Sequence, residues 1–164
     1  MGACEYFSPL GRMVIHSAEG FVTSIVFSDE VCNSSSDTVI KETVKWLDIY
    51  FSGNEPCFLP PVCAVGTEFQ KLIWHYLTEI PIGKVVTYGE LAIKAAENLG
   101  KRKMSAQAVG GAVGKNPICI MIPCHRVVGS DGKMTGYAYG IKRKAALLEH
   151  ERHMIFKKSN SISD

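Results

Sequence analysis

Cys124 lies in the run Ile122-Pro-Cys-His-Arg-Val127, and these residue types together could do nucleophilic chemistry. A cysteine reacts as its thiolate, which forms where a cationic or hydrogen-bonding neighbour offsets the charge and a substrate has access. An arbitrary free cysteine is a small core hydrophobe. The flanks argue otherwise here. Pro123 has no N–H and interrupts the ladder of a strand expected over Ile118 to Ile122, while His125 and Arg126 bring polarity to its end. Alternating side-chain directions in extended chain leave direct contact between His125 and Cys124 open.

The elements that must position this run fall into two regions that separate near Pro60-Pro61. In the first, the β-rich runs Arg12 to Ser17 and Phe21 to Phe27 flank Ala18-Glu19-Gly20 and predict a hairpin. A polar loop follows, then a helix from Thr38 to Phe51 with Ile40, Val44, Leu47 and Phe51 on one face, Asp37 as cap and Gly53 after the end. Trp46, Tyr50 and Phe51 are expected in its core, and this half shows no catalytic constellation.

The second region opens with the capping box Thr67-Glu-Phe-Gln70 and an apolar stripe from Phe69 to Ile80, ended by Pro81. A second box, Thr87-Tyr-Gly-Glu90, starts a helix over Tyr88 to Glu97; a basic turn at Lys101, Arg102 and Lys103 leads to a third helix over Ser105 to Gly114. Two short helices joined by a turn and followed by strand residues predict a winged helix-turn-helix. A last helix is expected over Ile141 to Arg152, and a disordered tail from Lys157.

At 164 residues the chain suits one domain or two small ones, and no apolar run is long enough for a membrane span. The six cysteines show no framework spacing, so they are expected as free thiols in a reducing compartment: the cytosol, or the nucleus in a eukaryote. Net charge is +2, but from Lys84 to Lys144 there are 11 Lys and Arg against 3 Asp and Glu. That asymmetry points to a polyanion-binding surface. The helix Ala106-Gln-Ala-Val-Gly-Gly-Ala-Val-Gly114 supports it. Gly110, Gly111 and Gly114 each cost a helix about 1 kcal/mol relative to alanine, so either the face packs closely on another helix or it is kept thin for a close approach. A helix with ordinary side chains is about 10–12 Å across and the DNA minor groove only about 6 Å wide, so a slim face flanked by Lys101, Arg102, Lys103 and Lys115 suits the minor groove.

Gly66-Thr-Glu-Phe-Gln70, Ile80-Pro-Ile-Gly83, Thr87-Tyr-Gly-Glu-Leu-Ala92, Ala108-Val-Gly-Gly111, Asn116-Pro117, Ile122-Pro-Cys-His-Arg-Val127 and Gly136-Tyr137 occur in this order. On these motifs the chain resembles the O6-alkylguanine-DNA alkyltransferases (methylated-DNA–protein-cysteine methyltransferases). Ser8-Pro-Leu-Gly11 and the hairpin after it look like the family's N-terminal domain. The resemblance implies an α+β fold: a small RNase H-like domain of β-hairpin or sheet plus helix over 1–60, and a winged helix-turn-helix active-site domain over 61–156. It also implies direct, irreversible transfer of an alkyl group, mainly methyl, from O6-alkylguanine or O4-alkylthymine in double-stranded DNA, one turnover per molecule, with the base flipped out.

The residue roles carried by the resemblance are these. Cys124 accepts the alkyl group; His125 acts as base through a water and Glu151 orients it; Tyr88 donates to the guanine leaving group; Asn116 braces the active-site turn. Tyr137, Ala138, Tyr139 and Val127 face the flipped base, and Arg126 is a structural pairing residue. Ser105, Ala106, Ala108, Gly110 and Gly111 meet DNA with the basic residues above. Gln107 occupies the position where many relatives place an arginine in the gap left by the base, so weaker DNA affinity is expected. The stretch from Tyr88 to Gln107 is a few residues longer than is common in the family, and its basic turn could restore phosphate contacts. Cys4, His16, Cys32 and Cys63 do not match the zinc ligands of some relatives; no metal and no cofactor are expected, and the protein is expected to act as a monomer. Tyr139 is bulky where small residues would leave the pocket open, which favours methyl over large aryl-methyl adducts.

Two other readings remain. A winged-helix protein that recognises alkylated DNA without chemistry would lack the acceptor cysteine, and Cys124 is present. A cysteine hydrolase needs a base that converges on the nucleophile and an oxyanion hole, and adjacent Cys124 and His125 are poorly placed for that.

Overall fold

The computed structural model describes residues 1–162. Its first sheet is antiparallel, in the order β1 (Gly2–Ser8), β2 (Gly11–Ala18), β3 (Phe21–Phe27). The hairpin between β2 and β3 turns on Glu19 and Gly20, both at positive φ (51° and 80°), as a two-residue loop matched to strand twist demands. Helix α1 (Thr38–Phe51) has the expected bounds, and the Asp37 side chain accepts from Val39 N to cap it. Val39, Ile40, Trp46, Leu47 and Tyr50 are buried, as are Met13, Val14 and Ile15 of β2.

Strand β1 is absent from the sequence expectation, because its residues are mostly half-buried and show no inside–outside alternation. Two chain segments dock on β3. Val22 exchanges hydrogen bonds with Pro61 and Cys63, and Ile25 donates to Pro117 O (2.9 Å) and accepts from Cys119 N (2.9 Å). Residues 117–119 therefore belong with the sheet. They are followed by Ile120 at φ +69°, an uncommon backbone state for a β-branched residue.

Helices α2 (Glu68–Thr78) and α3 (Tyr88–Asn98) each begin with a complete capping box, Thr67 with Gln70 and Thr87 with Glu90. Helix α4 (Ala106–Gly114) is capped by Ser105, which accepts from Gln107 N and Ala108 N. Trp74 Nε1 of α2 donates to Ala112 O (2.8 Å), which ties α4 to its neighbour. Strand β4 (Val86–Thr87) pairs in parallel with β5 (Val127–Val128).

The expected strand over Ile118 to Ile122 does not form. Ile118 makes an isolated bridge to β3, so its pairing goes to the sheet instead of to a wing. The last helix, α5 (Ile141–Ser161), runs past Arg152 through much of the expected disordered tail; residues 163–164 lie outside the described residues. The chain divides into a first unit (1–65, 117–119 and from Glu149 onward) and a second (66–116 and 120–148). This partition differs from a single cut near residue 60 because pairing with β3 and the second half of α5 assign later segments to the first unit.

Candidate active site and nucleic-acid interface

Cys124 opens a one-turn 3-10 helix (Cys124–Arg126), not a strand end. Pro123 makes the turn before it. With φ −82° and ψ 66° it is the centre of an inverse γ-turn, closed by Cys124 N donating to Ile122 O at 2.8 Å. Asn116 Nδ2 donates to the same carbonyl at 2.7 Å, so one oxygen takes two donors and the turn is clamped from both sides. The buried Arg126 guanidinium donates to Ile80 O beyond the end of α2. Arg126 thus pairs with backbone inside the second unit, which is a structural role. Val127 is buried and pairs with Val86 in the parallel register. The residue after β4 is Tyr88, which opens α3 and lies close enough to Cys124 to feel the charge of its thiolate.

Only 7% of Cys124 is exposed. Burial pushes its thiol pKa up. A hydrogen bond from the Asn116 side chain, the turn's backbone N–H groups and the Lys144 ammonium pull the other way. The Tyr88 hydroxyl donates to Thr135 O at 3.1 Å. Burial, and then the charge of a Cys124 thiolate, hold its pKa above the usual tyrosine value, so it keeps its proton at neutral pH. The loop carrying Thr135 comes this close through Gly136. Its φ is +71°, and a Cβ there would stand 3.1 Å from the Tyr88 hydroxyl oxygen, so the position disfavours any side chain.

Tyr137 is buried, Ala138 exposed and Tyr139 half-buried, and the two rings meet edge to face at 5.6 Å. A pocket of about 620 Å³ flanks this loop, lined by Gly136, Tyr137, Tyr139, Gly140, Ile141, Lys142 and Arg143; Cys124 is not among its lining residues. His125 is wholly buried within the 3-10 turn. Glu151 is wholly buried in the first unit, where Tyr50 Oη donates to its Oε1 at 2.9 Å and His150 Nε2 contacts Tyr50 O at 2.6 Å. The first region therefore does contribute to the setting of a candidate site residue. Among the described residues, no three His, Cys, Asp or Glu side chains converge as metal ligands, and no helix is long and apolar enough to cross a membrane.

Two residues escaped the sequence reading. Tyr50 gave no signal, since its place on the α1 stripe reads as core. Lys144 did: it shares the spacing of the buried Leu147, Leu148 and Glu151 on α5, and a lysine on a buried stripe is a contradiction that asks for a cause. Lys144 is 0% exposed and donates from Nζ to Thr135 O at 2.9 Å.

Helix α4 buries Val109, Ala112 and Val113 and turns Ala106, Gln107, Ala108, Gly111 and Gly114 outward. A Cβ on Gly111 or Gly114 would meet nothing within 4 Å, and one on Gly110 would only touch the Tyr88 ring at 3.8 Å. Internal packing does not require these glycines, which removes the close-packed-face explanation. Ser105, Lys101, Arg102, Lys103 and Lys115 are exposed around the same face.

Residues 68–153 match the family described as 6-O-methylguanine DNA methyltransferase, DNA binding domain. The chain is 40% identical over 151 residues to the methylated-DNA–protein-cysteine methyltransferase of Methanosarcina acetivorans, covering 88% of this chain and 94% of that protein. It is 36% identical over 154 residues to the corresponding protein of Mycobacterium leprae, covering 90% of each. A Mycobacterium tuberculosis relative solved in complex with DNA aligns with TM-score 0.80 at 34% identity over 94% of both chains. With a family model matched over more than half of the chain and relatives at 36% and 40% identity covered almost throughout, the chain belongs to the methylated-DNA–protein-cysteine methyltransferase family of DNA repair proteins.

Proposed function

We propose that Cys124 is the acceptor in a one-way transfer of an alkyl group, mainly methyl, from O6 of guanine or O4 of thymine in double-stranded DNA. The Cys124 sulfur forms a bond to the alkyl carbon as the carbon–oxygen bond breaks. The bonding pair stays with the base, which takes up a proton delivered from the Tyr88 hydroxyl. The thiol proton leaves through His125 by way of a water to solvent, with Glu151 orienting the imidazole, and a proton from solvent restores the Tyr88 hydroxyl. The products are a thioether and an unmodified base, and no group in the site reverses the step, so each molecule works once. No cofactor enters this balance.

The observation that carries the reading is the clamped turn: a buried thiol, hydrogen-bonded by Asn116 and set beside a tyrosine that keeps its proton. Exclusion of water strengthens each of these interactions. The base must then come to the thiol. The thin outward face of α4 suits the minor groove, with Gln107 at the tip of the helix to hold the place of a flipped nucleotide and Tyr137, Ala138, Tyr139 and Val127 around the base. Lys101, Arg102, Lys103 and Lys115 supply phosphate contacts. A single copy carries all these residues, so the protein acts as a monomer, and its six free thiols fit a reducing cytosol or nucleus.

Incubation with a duplex holding one O6-methylguanine, followed by intact-protein mass measurement, tests this. Wild-type protein gains the mass of one methylene and Cys124→Ser gains none. Tight binding with no mass gain in the wild type would instead support recognition without chemistry, and repeated turnover would overturn single use.

A further inference from the structure

A lysine without any exposed surface is the most anomalous charged group in the second unit. Lys144 of α5 donates to Thr135 O at 2.9 Å, and its Nζ stands 5.8 Å from the centre of the Tyr88 ring. Among the described residues no carboxylate pairs with it. Buried ammonium groups are rare unless a counter-charge is present, and a carbonyl plus an aromatic face only partly replaces water. The Thr135 oxygen also accepts from Tyr88 Oη at 3.1 Å, so lysine and tyrosine share one acceptor.

The counter-charge is within the same cluster. Lys144 and Cys124 act on each other electrostatically: the ammonium favours the thiolate, the thiolate favours the ammonium, and burial works against both charges. The groups that act on the sulfur are the Asn116 side chain ahead of the turn, the backbone N–H groups of Cys124 and His125 and the Lys144 ammonium from α5, while Tyr88 of α3 feels the thiolate's charge in turn. None of them is a carboxylate.

We propose that Lys144 is the counter-ion of the Cys124 thiolate, a positioning residue that holds the nucleophile's charge and, through the Thr135 carbonyl, seats Tyr88 beside it. This rests on the reading of Cys124 as nucleophile. Lys144 moves no proton in the reaction; it keeps its own while the thiol loses one. When sulfur becomes a neutral thioether, the lysine loses its partner, so its own protonation must respond to the state of Cys124.

The first test uses full-length protein without DNA. Cys124 is alkylated by iodomethane across a pH series, and the Cys124 peptide is quantified by mass spectrometry. Lys144→Met moves the midpoint of reactivity up by about one pH unit, roughly a tenfold loss of rate below the midpoint. Lys144→Arg stays near the wild type. An unmoved midpoint in Lys144→Met, or an equal shift in Lys144→Arg, overturns the assignment. Because Lys144→Met could fail to fold, the second test keeps the wild-type chain. The lysine Cε resonances are titrated by NMR before and after methylation of Cys124. The Lys144 midpoint drops on methylation, and an unchanged midpoint overturns the proposal. Normal thiol and lysine shifts with no transfer from DNA would sink the functional reading alone; unshifted midpoints with normal transfer would sink this one alone.

Discussion

In the first unit, two of the three buried polar or charged groups serve nearby geometry: Ser17 donates to Asp37, the residue that caps α1, and Thr43 returns its hydroxyl to Val39 O one turn back; the third is Glu151, held by Tyr50 Oη. Hydrocarbon and aromatic side chains fill the rest, with Trp46 and Tyr50 stacked at 5.6 Å. In the second unit, Asn116, Cys124, His125, Arg126 and Lys144 are all buried, and most of them gather about one short turn. Burying polar groups is unfavourable unless each finds a partner, and a set this dense is costly for a fold to hold. Apart from Glu151, the first unit shows what folding alone requires of such a chain. The excess in the second falls around Cys124, the proposed acceptor.

The sharpest challenge to this contrast is a cavity in the first unit. Leu47→Ala removes a fully buried side chain of α1 and should cost about 3 kcal/mol in urea unfolding, while folded molecules still transfer methyl groups at the wild-type rate. A slowed reaction in the folded fraction would show that the first unit's hydrocarbon interior also tunes the chemistry. Within the second unit, Tyr139→Gly removes the ring that meets Tyr137 edge to face. It should speed aryl-methyl transfer by about tenfold, the size of effect that pocket fit alone provides, with methyl transfer little changed. Equal acceleration of both adducts would show that Tyr139 does not sort by size. The smallest effect separates folding from function on one helix. Gly111→Ala places a methyl group where nothing lies within 4 Å, so it should stabilise the protein by up to about 1 kcal/mol while weakening duplex binding. Unchanged affinity in a band-shift assay would remove the thin-helix argument.

Local chemistry explains which parts were legible in advance. Both capping boxes, the Asp37 cap and the bounds of α1 follow from side chains that bond their own neighbours, while Ser105, expected as the first residue of α4, is its cap. Cys124, the proposed acceptor, stood out for the same reason, being flagged by adjacent residues. Features that depend on distant pairing did not show. Strand β1 is half-buried throughout, and the Ile118 bridge takes its partner from β3, far back in the chain. The 3-10 turn at Cys124 depends on Asn116 holding Ile122 O, a contact that no periodicity reveals. Helix α5 continues into Lys157-Lys158-Ser159-Asn160, whose composition suggested a tail. Lys144 was readable in principle, yet its meaning required the thiol across the cluster.

The doubly occupied Ile122 carbonyl has a consequence for the protein after its single reaction. With Asn116 on one side and Cys124 N on the other, the backbone turn that carries the sulfur is braced from both sides. Extra methylene volume in a packed site typically costs about 1–3 kcal/mol. On the proposed reaction, a molecule carrying an alkyl group on Cys124 is expected to melt earlier than the unreacted form, and the fraction of a population that melts early would then count the lesions already met.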